Sequence, residues 1–240
     1  MPVPPRLPVL SIIVPVFNER DTLPPVLRVV RAVDFGVPAE VLVVDDGSTD
    51  GTRDLYPALR AEMPEVRFIL HDANRGKGAA VRTGIAASSG GVIVVQDADL
   101  EYDPVEIRGL LLPILRGEAS VVFGSRFLRE NPVRYHKYYL GNRVLSGMIS
   151  LLYGARVTDA YTCYKVFARE VLADIRLESC GFEIEAELTC KLLRRGRRIM
   201  ELPISYRPRS IVEGKKIRFR DAVVGMQTLT RIRFASQRTL

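Results

Sequence analysis

The sequence predicts an α/β fold, a mostly parallel central sheet flanked by helices in one domain. Three observations predict it. Short apolar, β-branched runs alternate with helix-length segments from residue 10 to about 95, the pattern of repeated β-α units. Polar segments follow three of those runs, at 18–19, 45–52 and 97–101, where α/β sheets bind ligands beyond the carboxyl ends of their strands. The 240 residues are 47% hydrophobic and 26% charged, enough apolar material for one substantial core.

The elements follow in order. Residues 10–16 read as a buried strand, and the turn Asn18-Glu19-Arg20-Asp21 starts a helix to about Val33. Asp21 is its expected N-cap, with Pro24 and Pro25 in the first turn. Residues 40–44 form a second strand, 52–62 a helix, 66–70 a third strand, 78–88 an Ala/Gly-rich helix and 92–95 a fourth strand. The second half is less regular. Helices are expected at 103–116, 138–152, 169–175 and 182–195, and strands at 120–124 and 198–206. Segment 129–137 is polar and irregular, and 207–216 is a basic loop. A last helix, 219–234, carries a stripe of Phe219, Val223, Met226 and Leu229 among arginines. The expected division is a proline-rich lead-in over 1–8, a domain over 9–217 and a basic amphipathic helix over 218–240.

Charge is uneven. Residues 191–240 carry 14 Lys/Arg against 3 Asp/Glu, a balance of +11, so the first 190 sum to −4 within a net charge of +7. A basic tail on a near-neutral body points to an anionic partner. No run approaches 18 apolar residues, and the lead-in lacks the pattern of a signal peptide. The three cysteines, Cys163, Cys180 and Cys190, form no C-x-x-C, and only two histidines are present. Reduced cysteines in a cytoplasmic protein are expected rather than a disulfide framework or a zinc site.

Along an extended chain Asp97, Asp99 and Glu101 point the same way, offering three hard oxygen donors to Mg²⁺ or Mn²⁺. Two solvated aspartates in a turn are the plain alternative. Asp46 sits at a pocket floor, ready for a base N–H or ribose hydroxyl, or else belongs to an Asx-rich turn and helix cap. Asn74-Arg-Gly-Lys-Gly78 is not a Walker A loop, which needs Gly at 71 and Ser or Thr at 78. It is not G-x-G-x-x-G either, since position 81 is Val81. No G-x-S-x-G or nucleophile-base pair is present, which counts against a covalent hydrolase.

Taken together, Ser11-Ile-Ile-Val-Pro15-Val-Phe17-Asn18-Glu19, Val43-Val-Asp-Asp-Gly-Ser-Thr-Asp-Gly-Thr52, Asn74-Arg-Gly-Lys-Gly78, Asp97-Ala-Asp-Leu-Glu101 and Gly124-Ser-Arg126 occur in order. This set resembles the inverting family 2 glycosyltransferases with a GT-A (Rossmann-like) fold. Within them it is most similar to the dolichyl- or polyprenyl-phosphate sugar synthases, such as the mannose synthases, over most of residues 9–217. The resemblance implies that Pro15, Phe17 and Glu19 line the nucleotide pocket, with Val44 and Asp46 at the base and ribose. It places Asp97, Ala98 and Asp99 at the ribose, diphosphate and metal. Glu101 stands where the mannose synthases have Gln and joins Asp97 and Asp99 as a metal ligand for Mg²⁺ or Mn²⁺. Arg126 is implied to bind the acceptor phosphate or the donor diphosphate, and Arg209 and Lys215 to clamp the diphosphate from a closing loop. Asp99 and Arg126 are the catalytic pair. Thr158-Asp-Ala-Tyr-Thr-Cys-Tyr-Lys165 departs from the Thr-Ser-Gly-Phe-Arg-like stretch of the mannose synthases, which bears on the donor sugar. The C-terminal membrane helices of some relatives are absent from these residues.

The implied reaction is metal-dependent, inverting transfer of a hexose from a nucleotide-sugar to a polyprenyl or dolichyl phosphate. GDP-mannose is favoured and a UDP-sugar stays open. A hydroxyl acceptor is the alternative and needs a base, for which Glu183 and Glu185 are candidates. A non-catalytic basic nucleotide- or nucleic-acid-binding module is the reading from another class. It lacks aromatic-basic interleaving, so no nucleic acid is expected. The 219–234 helix implies an anionic membrane surface on the cytoplasmic face, or else packs on the domain or a dimer partner. The oligomeric state stays open.

Overall fold

The computed structural model describes residues 9–209 and 219–235. Seven strands form one sheet: β1 (Leu10–Val16), β2 (Ala39–Asp45), β3 (Val66–Leu70), β4 (Val92–Val95), β5 (Val121–Ser125), β6 (Lys165–Ala168) and β7 (Met200–Pro203), in the order β3-β2-β1-β4-β6-β5-β7. All neighbouring pairs are parallel except those of β6, which runs antiparallel to β4 and β5. The helices are α1 (Leu23–Ala32), α2 (Tyr56–Glu62), α3 (Lys77–Ala87), α4 (Ile107–Leu115), α5 (His136–Tyr153), α6 (Ile184–Arg194) and α7 (Phe219–Phe234).

Strands covered on both faces need continuous apolar runs, and β1 is buried at every position but Pro15. Alternate residues feed two cores. Ile12 and Val14 pack with Val26, Leu27 and Leu110 on one face, while Ile13 packs with Ala80, Leu188 and Leu192 on the other. The small residues of α3 let it lie directly over β1: a Cβ at Gly84 would stand 2.3 Å from Ile13 Cγ2. Register aligns Val16 with Asp45 and Ile13 with Val95. The acid-rich segments after β1, β2 and β4 therefore leave the sheet at one end, as the strand spacing predicts.

Three expectations at the level of elements are corrected. The helix expected at 169–175 is one 3₁₀ turn, Arg169–Leu172, and the antiparallel β6 before it was not foreseen. Asp21 does not cap α1. The N-cap is Thr22, and Leu23 N–H donates to Glu19 O at 2.9 Å. In α7 the buried residues are Gly225, Thr228, Leu229 and Ile232, while Met226 is exposed. That face packs against α5 and α6, held by Tyr153 Oη donating to Leu229 O at 2.8 Å and Arg233 Nε to Leu152 O at 2.7 Å. Among the described residues no helix is long and apolar enough to cross a membrane.

Candidate active site

The turns after β1 and β2 are stitched into one wall. Asn18, at φ 53°, receives Thr49 N–H on its Oδ1 at 2.8 Å, and its own N–H donates to Ser48 Oγ at 3.0 Å. Glu19 N–H donates to Thr52 Oγ1 at 3.0 Å. Asp45 is fully buried beneath this wall. Its carboxylate accepts from Tyr56 Oη at 2.6 Å, Arg53 Nε at 2.7 Å and Ser48 N–H at 2.9 Å. Burial acts upward on its pKa, but these donors hold it below the usual carboxylate value.

Asp46 turns the other way, onto the glycine loop. Its Oδ1 accepts from Arg75 N–H at 3.0 Å and its Oδ2 from Gly76 N–H at 2.7 Å, and Oδ1 lies 2.7 Å from His71 Nδ1. Gly76, at φ +96°, lies so close to the 179–181 turn that a Cβ would stand 2.3 Å from Cys180 O. Only glycine fits that approach and that backbone region. The loop delivers Lys77, first residue of α3, to the end of β4. Its Nζ stands 2.8 and 3.0 Å from the two oxygens of Asp97, and 3.1 Å from Glu185 Oε1.

The expected edge of three aligned carboxylates is not formed. The strand ends at Val95, and Leu100 adopts φ 61°, so simple alternation does not carry through to Glu101. Asp97 is turned to Lys77. Asp99 accepts Glu101 N–H at 3.0 Å and pairs with Arg209 Nη2 at 3.1 Å. Arg209 also forks onto Glu19, with Nη1 to Oε2 at 3.1 Å and Nη2 to Oε1 at 3.2 Å. Glu101 accepts from Tyr206 Oη at 2.6 Å and Arg209 N–H at 2.7 Å. Burial acts upward on Asp97, but Lys77 outweighs it and keeps the carboxyl below its usual range. Burial and the charges of Asp97 and Glu101 push the Asp99 carboxyl up to about 7, with Arg209 opposing.

A cavity of about 670 Å³ lies beside these acids, lined by Arg126, Arg129, Arg134, Glu130 and the rings of Tyr135, Tyr138 and Tyr206. Tyr206 is the partition, giving its hydroxyl to Glu101 and its ring face to Arg126, whose Cζ stands 5.0 Å from the ring centroid. Arg126 is held in a fork by the fully buried Asp159, Nε at 2.7 Å and Nη2 at 2.8 Å. Asp159 is fixed in turn by its N–H to Glu201 Oε1 at 3.0 Å. Asn131 ties the cavity's loop to β7's exit, donating to Arg126 O and Ile204 O and accepting Tyr206 N–H.

The structure thus brings Glu19, Asp97, Asp99, Glu101 and Arg209 to one end of the sheet, with Arg126 one ring away and Pro15 and Phe17 partly exposed at the mouth of β1. It does not bring Val44 or Ala98 to a pocket. Both side chains sit in the cores: Val44 near the end of β2, where the strand is buried, and Ala98 in the turn after β4. Asp46 faces the glycine loop rather than an opening. Lys215 lies outside the described residues. Sequence reasoning left open whether Lys77 and Glu185 had work to do, and missed Asp159, Tyr206, His71 and Lys165. Their partners are far off in sequence, and a period or motif carries no signal for such a pairing.

The residues suit a divalent cation in part. Among the described residues no three His, Cys, Asp or Glu side chains gather as a metal-holding group, and Glu101 is committed to Tyr206 and the Arg209 backbone. The Asp97–Asp99 pair supplies hard oxygen donors, and the upward push on Asp99 marks a site short of positive charge. That fits a cation taking one or two carboxylates and completing its shell with phosphate and water.

Residues 11–176 match the family model described as glycosyl transferase family 2. Among curated proteins the chain is similar to the glycosyltransferase AglJ of Haloferax volcanii, 31% identical over 213 residues that cover 87% of this chain and 65% of that protein. It is also similar to the dolichol-phosphate mannosyltransferase of Pyrococcus furiosus, 29% identical over 86% of this chain and 58% of that protein. The chain therefore spans less than two thirds of these relatives. Among solved structures it is similar to glucosyl-3-phosphoglycerate synthase from Mycobacterium tuberculosis, crystallised with Mn²⁺, UDP and glucosyl-3-phosphoglycerate. The TM-score is 0.73 at 22% identity, covering 94% of this chain and 80% of that one, a likeness of fold.

Proposed function

Because the chain belongs to glycosyl transferase family 2, we propose that it transfers a hexose, with inversion, from a nucleotide-diphospho-sugar to a polyprenyl phosphate. GDP-mannose is the favoured donor. One observation carries the choice of acceptor: the cavity that borders the Asp97–Asp99 site is basic and lined with tyrosines. Arg126, Arg129 and Arg134 line it beside Glu130, with Asp159 behind Arg126 and Glu106 3.7 Å from Arg129; guanidinium groups suit a phosphate, and aromatic walls suit a prenyl chain. The candidate bases support the same reading. Glu185 is already engaged by the ammonium groups of Lys77 and Lys165, and Glu183 accepts Gly181 N–H at 3.0 Å. A phosphate acceptor is already anionic and needs no base.

In this reading Pro15, Phe17 and Glu19 border the nucleotide, and Asp46 sets the glycine loop at its edge. Arg126, fixed by Asp159, turns its remaining edge to the acceptor phosphate. A phosphate oxygen attacks the anomeric carbon from the face opposite the diphosphate. The new C–O bond forms as the old one breaks, and the electron pair leaves with the nucleoside diphosphate. Arg209 moves from the acids to the leaving diphosphate and balances its developing charge. Mg²⁺ or Mn²⁺ held by Asp99 with Asp97 supplies further charge neutralisation at that diphosphate.

The place of reaction is the cytoplasmic face of a membrane, on an anionic surface. The surface that suits it is α5 rather than α7. Leu140 (63% exposed), Val144 (51%) and Leu151 (84%) form a stripe along α5, and α5 contains no Asp or Glu. Its N-terminal turn is also a wall of the acceptor cavity. The test of the reaction is incubation with Mn²⁺ or Mg²⁺, a panel of GDP- and UDP-sugars and a short polyprenyl phosphate, read by mass spectrometry. A metal-dependent glycolipid from one donor is expected. Donor hydrolysis without glycolipid would move the acceptor to a hydroxyl.

A further inference from the structure

Four charged side chains from four elements form a chain behind the Asp97–Asp99 site. Asp97 follows β4, Lys77 opens α3, Glu185 lies in the first turn of α6, and Lys165 begins β6. Asp97 meets Lys77 at 2.8 Å, Lys77 meets Glu185 Oε1 at 3.1 Å, and Glu185 Oε2 accepts from Lys165 Nζ. Side-chain exposure falls along the chain, from 20% at Asp97 through 13% and 11% to 1% at Lys165. Lys165 also donates to Thr162 O at 2.6 Å and lies 5.1 Å over the Phe123 ring. The signs alternate and sum to zero, so each ion is compensated without water, the condition under which buried ion pairs persist.

The inner end of this chain is buried and bonded on two sides, and the outer end opens on the site. Lys77 joins the two ends. It has a long, flexible stem, and a single carboxylate–ammonium contact leaves it several rotamers; Glu185 behind it removes that freedom. Resting on the donor-site reading above, we infer that Glu185 is a positioning residue. It holds Lys77 against Asp97, and so sets the carboxylate that receives the nucleotide. It is not a proton acceptor for the sugar acceptor. The position at the start of α6 where a base was sought is a structural anchor of the donor site.

The experiment measures GDP and UDP binding by titration calorimetry, with Mn²⁺ and with EDTA, beside steady-state kinetics. Variants are Glu185→Gln, Glu185→Asp, Lys77→Met and the double Lys77→Met/Glu185→Gln. A positioning role raises the nucleotide Kd and the donor KM of Glu185→Gln together, about tenfold for the loss of a charged contact. The kcat stays within about threefold, and Glu185→Asp restores part of the binding. The double variant binds no more weakly than Lys77→Met alone, because residues acting through one contact do not add. A loss confined to kcat with Kd unchanged would make Glu185 the base and overturn the inference. So would unchanged Kd and kcat together, or penalties that multiply in the double variant. If Glu185→Gln does not fold, Lys165→Met/Glu185→Gln removes one charge of each sign and still cuts Lys77 from its anchor; its Kd then decides. Wild-type protein that binds neither GDP nor UDP would overturn the transferase reading itself.

Discussion

Asp99 is pressed by acids two residues to either side, and Arg209 and the Glu101 N–H answer it. Removing its carboxylate relieves repulsion in the folded state and strips the site of a hard oxygen donor. Asp99→Ala is therefore expected to lose transfer by on the order of a hundredfold to a thousandfold or more, the scale of losing one preorganised electrostatic group. Its melting temperature should be no lower than wild type. Near-normal turnover would remove Asp99 from the machinery, and a large fall in melting temperature would make the residue structural. Residue identities were the most legible part of the site: carboxylates at 97 and 99, an arginine after a strand, a glycine loop. Their partners were not. That Asp46 serves the backbone of Arg75 and Gly76, or that Asp159 grips Arg126, follows from how loops some thirty residues apart fold back, and no local pattern encodes it.

At the scale of elements, α6 shows how a helix start is fixed when its acids are buried. Glu187 is fully buried, pairs with Lys191 at 2.8 Å, and accepts Ser179 N–H at 2.8 Å and Glu178 N–H at 3.0 Å. Burial alone would raise its pKa, but Lys191 and Ser179 outweigh it and lower the value. A carboxyl lowered in the folded state contributes stability that is present above its unfolded value and lost as pH falls through the folded one. Wild-type stability should therefore slope downward below the ordinary carboxylate range. Glu187→Gln strands a buried ammonium and is expected to cost about 3–5 kcal/mol near pH 7, with a flatter acid limb. Urea unfolding at several pH values checks both, and parallel curves would discount the pair. Strands β1 and β4 were readable in the sequence because burial on both faces demands unbroken apolar runs. The four-residue β6 was not, because it begins with Lys165, whose charge is acceptable only beside Glu185 of α6. The face of α7 was misread for a related reason. A stripe of apolar letters does not reveal that Gly225 and Thr228 face the body while Met226 turns outward.

At the scale of the whole molecule, the fold gathers its functions at one end and its basic surface alongside. The excess of +11 in the last 50 residues marked an anionic partner, and α7 was its expected seat. With that helix's buried face packed on α5 and α6, an exposed apolar stripe lies along α5, flanked by the exposed Arg134, Lys137, Arg143 and Arg156. Apolar insertion supplies affinity that adds to headgroup attraction, which is about 1 kcal/mol for each basic residue near an anionic leaflet. Leu140→Glu/Leu151→Glu places two like charges on the face meant to enter lipid without touching either core. This variant is expected to lose co-sedimentation with vesicles rich in anionic lipid, while nucleotide binding and transfer to a short polyprenyl phosphate in detergent stay near wild type. Wild-type binding should weaken with salt and with neutral vesicles, because the attraction to headgroups is screened over about 8 Å at physiological ionic strength. If the variant sediments like wild type, α5 is not the face that meets the membrane. If wild type itself ignores anionic vesicles, the basic surface serves a protein partner and the lipid acceptor must reach the cavity by another route.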